Sequence, residues 1–332
     1  MRRLLNILVL VVLSISVQAQ DPQFTQSYAI PLYLGPSFAG STNGSRLGVW
    51  YRNQWPMVPR QYITYGLAYD HNFINTNSGV GLLAYRDQAG SGILTTTSAS
   101  LQYSYNLSLG RFWSVRPGLQ MSFVHRSIDF SKLIFGDQLT NYGYRPASFE
   151  RPVREDVNYV DFAASLAVFH EMLWFGSTVS HFARANESFL GAESIVPVQY
   201  TGYAGVKVVT NDRLGKYDEE SVTITALYKA QAEYDQLDIG AYFSKDPLVV
   251  GLWYRGLPVI KAYSDEINHD AVNILFGYVL QDLMIGYSYD FTISRLISYT
   301  NGAHELTVNY KFFQDQRPKR RPRHAIIHFP KL

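Results

Sequence analysis

The sequence predicts an all-β protein: a transmembrane antiparallel β-barrel of about fourteen strands, preceded by an amino-terminal segment with neither helix nor strand periodicity. Three observations predict it. Met1–Ala19 has the layout of an export signal, the chain is dense in tyrosine, and successive segments alternate apolar and polar residues with a period of two.

The leader opens with Arg2 and Arg3, runs through an apolar stretch from Leu4 to Val17, and closes on Val17-Gln18-Ala19. A basic start, an apolar centre and small residues before a cut describe a secretory signal peptide over 1–19. Beyond it, no stretch approaches the roughly 20 apolar residues that a membrane helix needs. Aromatic residues form 15% of the chain, and there are 25 tyrosines, which barrels gather in girdles at both lipid–water interfaces. A secreted β-sandwich or propeller would share the leader and the alternation but not this tyrosine content. The chain has no cysteine. That excludes disulfides, thiolate metal sites and a lipid-anchored cysteine after the cut, where Gln20 stands.

Residues 20–44 mix Phe24, Tyr28, Leu32, Tyr33 and Phe38 with Pro22, Pro31 and Pro36. Such apolar side chains are costly to leave in water, so the segment is expected in the barrel lumen or across its periplasmic mouth. The barrel itself is expected over 45–313. Its strands read as 45–54, 61–71, 78–87, 95–106, 112–126, 158–169, 171–181, 197–209, 221–230, 234–244, 247–255, 270–280, 282–292 and 303–313. Val115, Leu119, Met121 and Phe123 alternate with Arg116, Gln120 and Ser122, and the closing strand sets Leu306, Val308, Tyr310 and Phe312 against Thr307, Asn309 and Lys311. That alternation puts an apolar row in lipid and a polar row inside. Fourteen is an even number, as in single-chain bacterial barrels, and the boundaries leave twelve or sixteen open.

If the first strand rises from the periplasm, the outward connections include 127–157, 182–196, 256–269 and 293–302, mostly long. The inward ones are mostly tight turns, as expected of such barrels. In the first strand Arg52 has the parity of Trp50 and Gly48, so it is expected to point inward and to pair with a carboxylate across the lumen.

Charge divides along the chain. Without Arg2 and Arg3 the basic residues equal the 27 acidic ones. The tail 314–332 holds Arg317, Lys319, Arg320, Arg321, Arg323 and Lys331 against Asp315 alone. An even strand count returns this basic tail to the periplasm, where it is expected to be disordered alone. Two readings stay open for it: docking onto an acidic face or lipid headgroups, with Ile326, Ile327 and Phe329 completing the contact, or a terminus held loosely on lipid phosphates. Its composition resembles a nucleic-acid patch, but its location argues against nucleic acid as a partner.

Enzymatic motifs are missing. Gly79-Val80-Gly81-Leu82-Leu83-Ala84 has dinucleotide-motif spacing but lies inside an alternating strand with no helix to receive a phosphate, where glycines ease strand curvature. His170-Glu171 lacks a second histidine three residues on, and no Gly-x-Ser-x-Gly elbow occurs. The eight histidines show no metal-ligand spacing. No catalytic residue, cofactor or metal is assigned.

Several stretches resemble one family. Asp21-Pro22-Gln23-Phe24-Thr25-Gln26, followed by Pro31–Gly40, looks like the mature amino terminus of PorP/SprF proteins, and Tyr51-Arg52-Asn53-Gln54-Trp55 like their first-strand signature. Phe130–Gln138 resembles their long-loop motif, and Gly251–Arg255, Tyr289-Asp290-Phe291 and Gly302–Leu306 their late segments. Gly35 departs from the pattern, where relatives often carry Asn. The resemblance implies a non-enzymatic outer-membrane component of the type IX secretion system of Bacteroidota, associated with a periplasmic ring lipoprotein, gliding motility and retention of a secreted surface adhesin. The long loop combines Phe130, Leu133 and Phe135 with Asp137 and Gln138. It is expected to be an inward-folded plug or a partner-binding surface, and the sequence leaves both open. The rival class is a passive channel for small solutes, a porin.

Overall fold

The computed structural model describes residues 21–313 apart from 59–60, 91–92, 111, 141–142, 145–153, 190, 192, 213–218, 264–265 and 294–299. The expected signal peptide and the basic tail lie outside the described residues. The strands are β1 (Ser45–Gln54), β2 (Tyr62–Phe73), β3 (Ser78–Ala89), β4 (Leu94–Tyr105), β5 (Leu107–Leu109), β6 (Trp113–Ile128), β7 (Leu139–Thr140), β8 (Gly143–Tyr144), β9 (Asp156–Phe169), β10 (Leu173–Ser180), β11 (Gln199–Asp212), β12 (Glu219–Gln231), β13 (Tyr234–Lys245), β14 (Leu248–Tyr263), β15 (Glu266–Leu280), β16 (Leu283–Thr292) and β17 (Ala303–Phe312).

Fourteen of them form the wall. Each pairs antiparallel with its neighbours around the ring, β4 pairs with β6 and β6 with β9, and β1 closes the ring on β17 from Ser45↔Phe312 to Gln54↔Ala303. Closure leaves no edge strand along the seam, which a sheet in hydrocarbon requires. β5 continues the β4 pass beyond Asn106, and β7 and β8 form a small separate hairpin within the 129–155 connection.

Burial follows the period-two pattern. In β1, Ser45, Arg46, Gly48, Trp50 and Arg52 are buried while Leu47, Val49 and Tyr51 are exposed. In β6, Leu119, Met121 and Phe123 are exposed and Arg116, Gly118 and Ser122 are buried. In β17, Leu306 and Tyr310 face out while Glu305, Thr307 and Asn309 are buried. The wall is therefore largely inverted relative to a soluble protein: most of its outward residues are apolar and its inward row is rich in polar ones, although aromatic residues such as Trp50 and Trp253 also face in. Outward tyrosines sit near both ends, Tyr51, Tyr200 and Tyr234 at one and Tyr105, Tyr278 and Tyr310 at the other.

The two ends differ. One carries the 129–155, 181–198 and 293–302 connections; the other carries short turns such as 170–172, 246–247 and 281–282. One connection is not the long loop that the sequence suggests. Instead of a break over 256–269, β14 runs on to Tyr263 and β15 starts at Glu266, with register shifts at Arg255/Gly256, Leu257/Lys261 and Lys261/Tyr263. Bulges insert unpaired residues and so break the two-residue period on which a strand reading depends.

Candidate functional site

Residues 21–44 run through the interior as a strap. It has little regular structure of its own: a single helical turn, α1 (Pro31–Leu34), and a 3-10 turn over Pro36–Phe38, each begun by a proline at its first position, where the missing N–H costs nothing. Some of the strap's backbone groups bond within it, such as Tyr33 N to Ile30 O and Ser41 N to Phe38 O, and inward-facing side chains of the wall satisfy many of the others.

The densest contact lies toward the long-loop end. Arg52 donates from Nη2 to Asp290 Oδ2 at 2.8 Å and from Nη1 to Glu305 Oε2 at 3.0 Å. Arg255 donates from Nη1 to Asp290 Oδ2 at 3.2 Å and from Nε to Asp238 Oδ1 at 3.2 Å. In this cluster two guanidinium groups face three carboxylates, and the strap supplies the missing donors. Thr25 N and Gln26 N donate to the two oxygens of Glu305 at 2.8 and 3.0 Å, and Thr25 Oγ1 donates to Asp290 Oδ1 at 2.7 Å. Gln26 Nε2 adds bonds to Ser288 Oγ and Glu305 O, and Thr307 Oγ1 donates to Gln26 Oε1 at 2.6 Å. Buried charges are tolerable when paired and fully hydrogen-bonded, and here the bonding requires the strap.

Apolar packing fills the middle. Phe24 sits edge-on between Tyr33 at 4.6 Å and Trp50 at 6.0 Å, and Tyr28 stacks on Trp253 at 5.4 Å. Phe38 packs against Tyr203 at 5.1 Å and Phe169 at 5.8 Å. The wall also bonds the strap's carbonyls. Gln102 Nε2 donates to Leu32 O at 2.9 Å, Thr178 Oγ1 to Leu34 O at 2.7 Å, and Arg116 Nη2 to Ala39 O at 2.6 Å. At the short-turn end, Gly40 N donates to Asp70 Oδ2 at 3.0 Å while Arg46 Nε holds Asp70 Oδ1 at 2.8 Å.

Two wall glycines give the strap its seat. A Cβ on Gly118 would stand 2.3 Å from Ser37 N, and one on Gly79 would stand 2.0 Å from Ala39 O. Gly79 therefore has a more specific role than easing curvature: it admits a neighbouring backbone. Gly35, the departure from the family pattern, is extended and faces Thr178 Oγ1, which a Cβ would meet at 2.2 Å. A void of about 40 Å³ remains beside Tyr28, Trp253 and Asn273, room for one or two waters rather than a solute.

At the long-loop end His181 follows β10 and bridges two carboxylates, Nδ1 to Asp161 Oδ2 at 2.7 Å and Nε2 to Asp21 Oδ2 at 2.8 Å. Burial alone would lower the pKa of His181, but Asp21 and Asp161 override it and push the value up to about 10. Burial likewise opposes the Asp21 charge, and the imidazolium outweighs it, holding that carboxyl below its usual value.

The residues singled out from sequence fall into three places. Phe24 is buried in the strap with Asp21, Pro22 and Gln23 half-buried, and Pro22 O accepts from Tyr33 Oη at 2.5 Å. In the first-strand signature Arg52 points in and Tyr51 out, with Asn53 and Gln54 at the rim. Trp55 turns the chain at φ 59° with its N–H on Gly302 O. Phe130, Leu133, Phe135, Asp137 and Gln138 form an outer loop of two 3-10 turns, beside a recess of about 770 Å³ lined by Arg86, Asp129, Lys132, Glu155 and Asp156. Arg317, Lys319, Arg320, Arg321 and Arg323 lie outside the described residues. Sequence reasoning named Asp290, Glu305 and Arg255 only as parts of family-like segments, without a role, and did not single out Asp238, Asp70 or His181. Their signal was a charged residue at an inward parity in an apolar-alternating strand, as Glu305 stands beside Leu306.

Comparison with known proteins adds the following. The family model described as type IX secretion system membrane protein PorP/SprF matches residues 16–310. No curated protein matches. Among solved structures, the outer membrane protein Omp33 of Acinetobacter baumannii is 8% identical with a TM-score of 0.47, covering 82% of this chain and 100% of that one. The toluene transporter TbuX of Ralstonia pickettii is 10% identical with a TM-score of 0.48, covering 83% and 92%. A KdgM porin in complex with disordered oligogalacturonate is 10% identical with a TM-score of 0.38, covering 80% and 99%.

Proposed function

We propose that this chain, which belongs to the PorP/SprF family of type IX secretion system membrane proteins, serves that machinery as a solute-tight scaffold. It is a non-enzymatic outer-membrane β-barrel, and its family makes it a component of a secretion machine. The proposal concerns what the barrel does there: it holds the periplasmic ring lipoprotein, or anchors a secreted surface adhesin, with its outer faces rather than passing solutes through its centre. The observation that carries this reading is the strap. A lumen crossed by residues 21–44, with many of their polar groups bonded to the wall and a void of about 40 Å³ beside them among the described residues, supports a barrel closed to hydrated solutes. The basic tail, emerging beside the short turns, is proposed to contribute to the periplasmic contact.

Planar-bilayer recording tests the closed lumen. Purified protein is expected to be near silent, and deletion of residues 21–40, if the barrel still assembles, should open steps of conductance. Large steady conductance from the intact chain would make it a channel instead. The scaffold half is read separately: deletion of residues 314–332 should leave barrel assembly intact and weaken co-purification of the ring lipoprotein, the more so as salt rises.

A further inference from the structure

The strap has a direction, and its two ends lie at opposite mouths. Asp21 is held by His181, the residue after β10, and its amide reaches Gln231 Oε1, in the last residue of β12, at 3.4 Å. Both partners stand at the long-loop end. Thr42 O accepts from Asn72 Nδ2 at 3.1 Å and Gly44 O from Asn72 N at 2.9 Å, and Asn72 stands near the short-turn end of β2. Contacts between these ends follow in order along the axis: Thr25 and Gln26 on Asp290 and Glu305, Leu32 on Gln102, Ala39 on Ser104 and Arg116. β1 then starts from the short-turn end at Ser45, and β17 returns there at Phe312.

We propose that the chain threads its own barrel lengthwise and, once the expected leader over 1–19 is removed, displays its amino end beside Asp21 at the long-loop mouth, the face opposite the one where the wall begins and ends. Asp21 stands there at the same mouth as the Phe130–Gln138 loop, so a group attached ahead of it would project on the same side as that loop. With short turns toward the periplasm, as the proposed function takes them, this is the cell surface. The wall must close around the strap. Phe24, Leu32 and Phe38 are fully buried, and the carboxylates of the last two wall strands take their donors from Thr25 and Gln26, so the final strands meet β1 with the strap already in place.

The chain has no cysteine, so single-cysteine variants report position cleanly. Asp21→Cys, and Gln23→Cys to keep the His181 contact, are compared with Leu139→Cys in the long loop and Gln281→Cys in a short turn, using a membrane-impermeant maleimide on intact and on permeabilised cells. The expected result is labelling of positions 21 and 23 on intact cells together with 139, while 281 labels only after permeabilisation. Positions 21 and 23 following 281 would overturn lengthwise threading. If 21, 23 and 139 all wait for permeabilisation while 281 labels on intact cells, threading stands and the outward orientation falls. Labelling of 21 and 23 only after denaturation would mean an enclosed amino end and would overturn its display.

Discussion

Residues 21–40 and 130–138 both resemble segments of the family, both lie outside the wall strands, and both mix aromatic with polar side chains, yet their surroundings differ. In the first, the wall answers the polar groups: carboxylates meet Thr25 and Gln26, and Gln102, Thr178 and Arg116 meet the carbonyls. The second carries bonds within itself. Asp129 accepts from Ser131 N at 3.1 Å, Phe135 N donates to Gln138 Oε1 at 2.8 Å, and Phe130 stacks on Phe135 at 6.4 Å. Ile134 is left 58% exposed. The motif bound to the wall is internal structure; the motif with bonds of its own is proposed as a surface. Hydrogen-bond partners make that distinction, and motif composition does not.

The largest effect that would test the comparison is at Arg52. Arg52→Ala leaves Asp290 and Glu305 buried with Arg255 reaching only the first of them. Removing one partner of a buried pair costs about 3–5 kcal/mol. Urea titration in lipid vesicles should show that loss, and proteolysis should reach the strap. A variant as stable and as protected as the parent would mean that the strap is not held by this cluster.

Next is the wall that both regions depend on. Val308 sits midway along β17, opposite Val49 and Ile285, in the apolar row that faces lipid. Val308→Arg should cost about 2–4 kcal/mol if it lies at the bilayer midplane, whereas Lys311→Gln, on the inner face near the short-turn end, should be tolerated. Equal folding yields in lipid for the two variants would refute the facing assignment.

A smaller effect belongs to the strap's seat. Gly118→Val forces a side chain against Ser37 and Pro36, and overpacking of this kind costs about 1–3 kcal/mol. Gly202 on β11 has nothing within 4 Å of an added Cβ, so Gly202→Ala is the matched control. The position 118 variant should lose strap protection from protease with the control unchanged. Equal protection would place the strap farther from β6.

The wall was legible in the sequence because lipid imposes the period: thirteen of the fourteen strands stand within a few residues of their expected places, β14 runs on past its expected end, and the inward parity of Arg52 follows from Trp50. The boundaries failed where bulges break the period, beyond Arg255. The site was less legible. Nothing in a strand pattern links Thr25 to Glu305 across 280 residues, and tyrosine content argued for girdles although Tyr28, Tyr33, Tyr85, Tyr203 and Tyr242 pack inside with the strap. Charged residues at inward positions were the usable signal. They mark where a wall needs partners but do not name the partner.

The outer end of the strap gives a pH signature. His181 has its pKa raised to about 10 by Asp21 and Asp161, so its contribution to stability is full below its unfolded value of about 6.5 and is lost as pH rises through about 10. Asp21, with a lowered pKa, acts in the opposite sense and loses its contribution only in acid. Hydrogen exchange at residues 21–24 should therefore quicken, beyond the intrinsic rate, between about pH 7 and 10, while exchange near Gly40 does not. His181→Asn should flatten the difference. A uniform response along the strap would show that its two ends are not held independently.

The smallest expected effect on stability is in the long loop, and there the comparison is at its sharpest. Phe130 and Phe135 are half-buried and stack on each other at 6.4 Å. A stacked aromatic pair is worth about 0.5–1.5 kcal/mol, so Phe130→Ala with Phe135→Ala should shift the urea midpoint only slightly and leave the lumen's near silence unchanged. If this loop is a binding surface, the same double variant should release a protein that the parent retains in pull-downs from outer membranes, because aromatic side chains dominate binding energy once a partner desolvates them. Arg52→Ala is the reciprocal control. It should weaken the fold, and any correctly assembled fraction should still capture that partner. A double variant that both unfolds and opens the lumen would put residues 130–138 with the strap, as a second inward element. One that changes neither stability nor any retained partner would leave the loop without a role in either, and the recess lined by Arg86 and Lys132 beside it would become the surface to alter next.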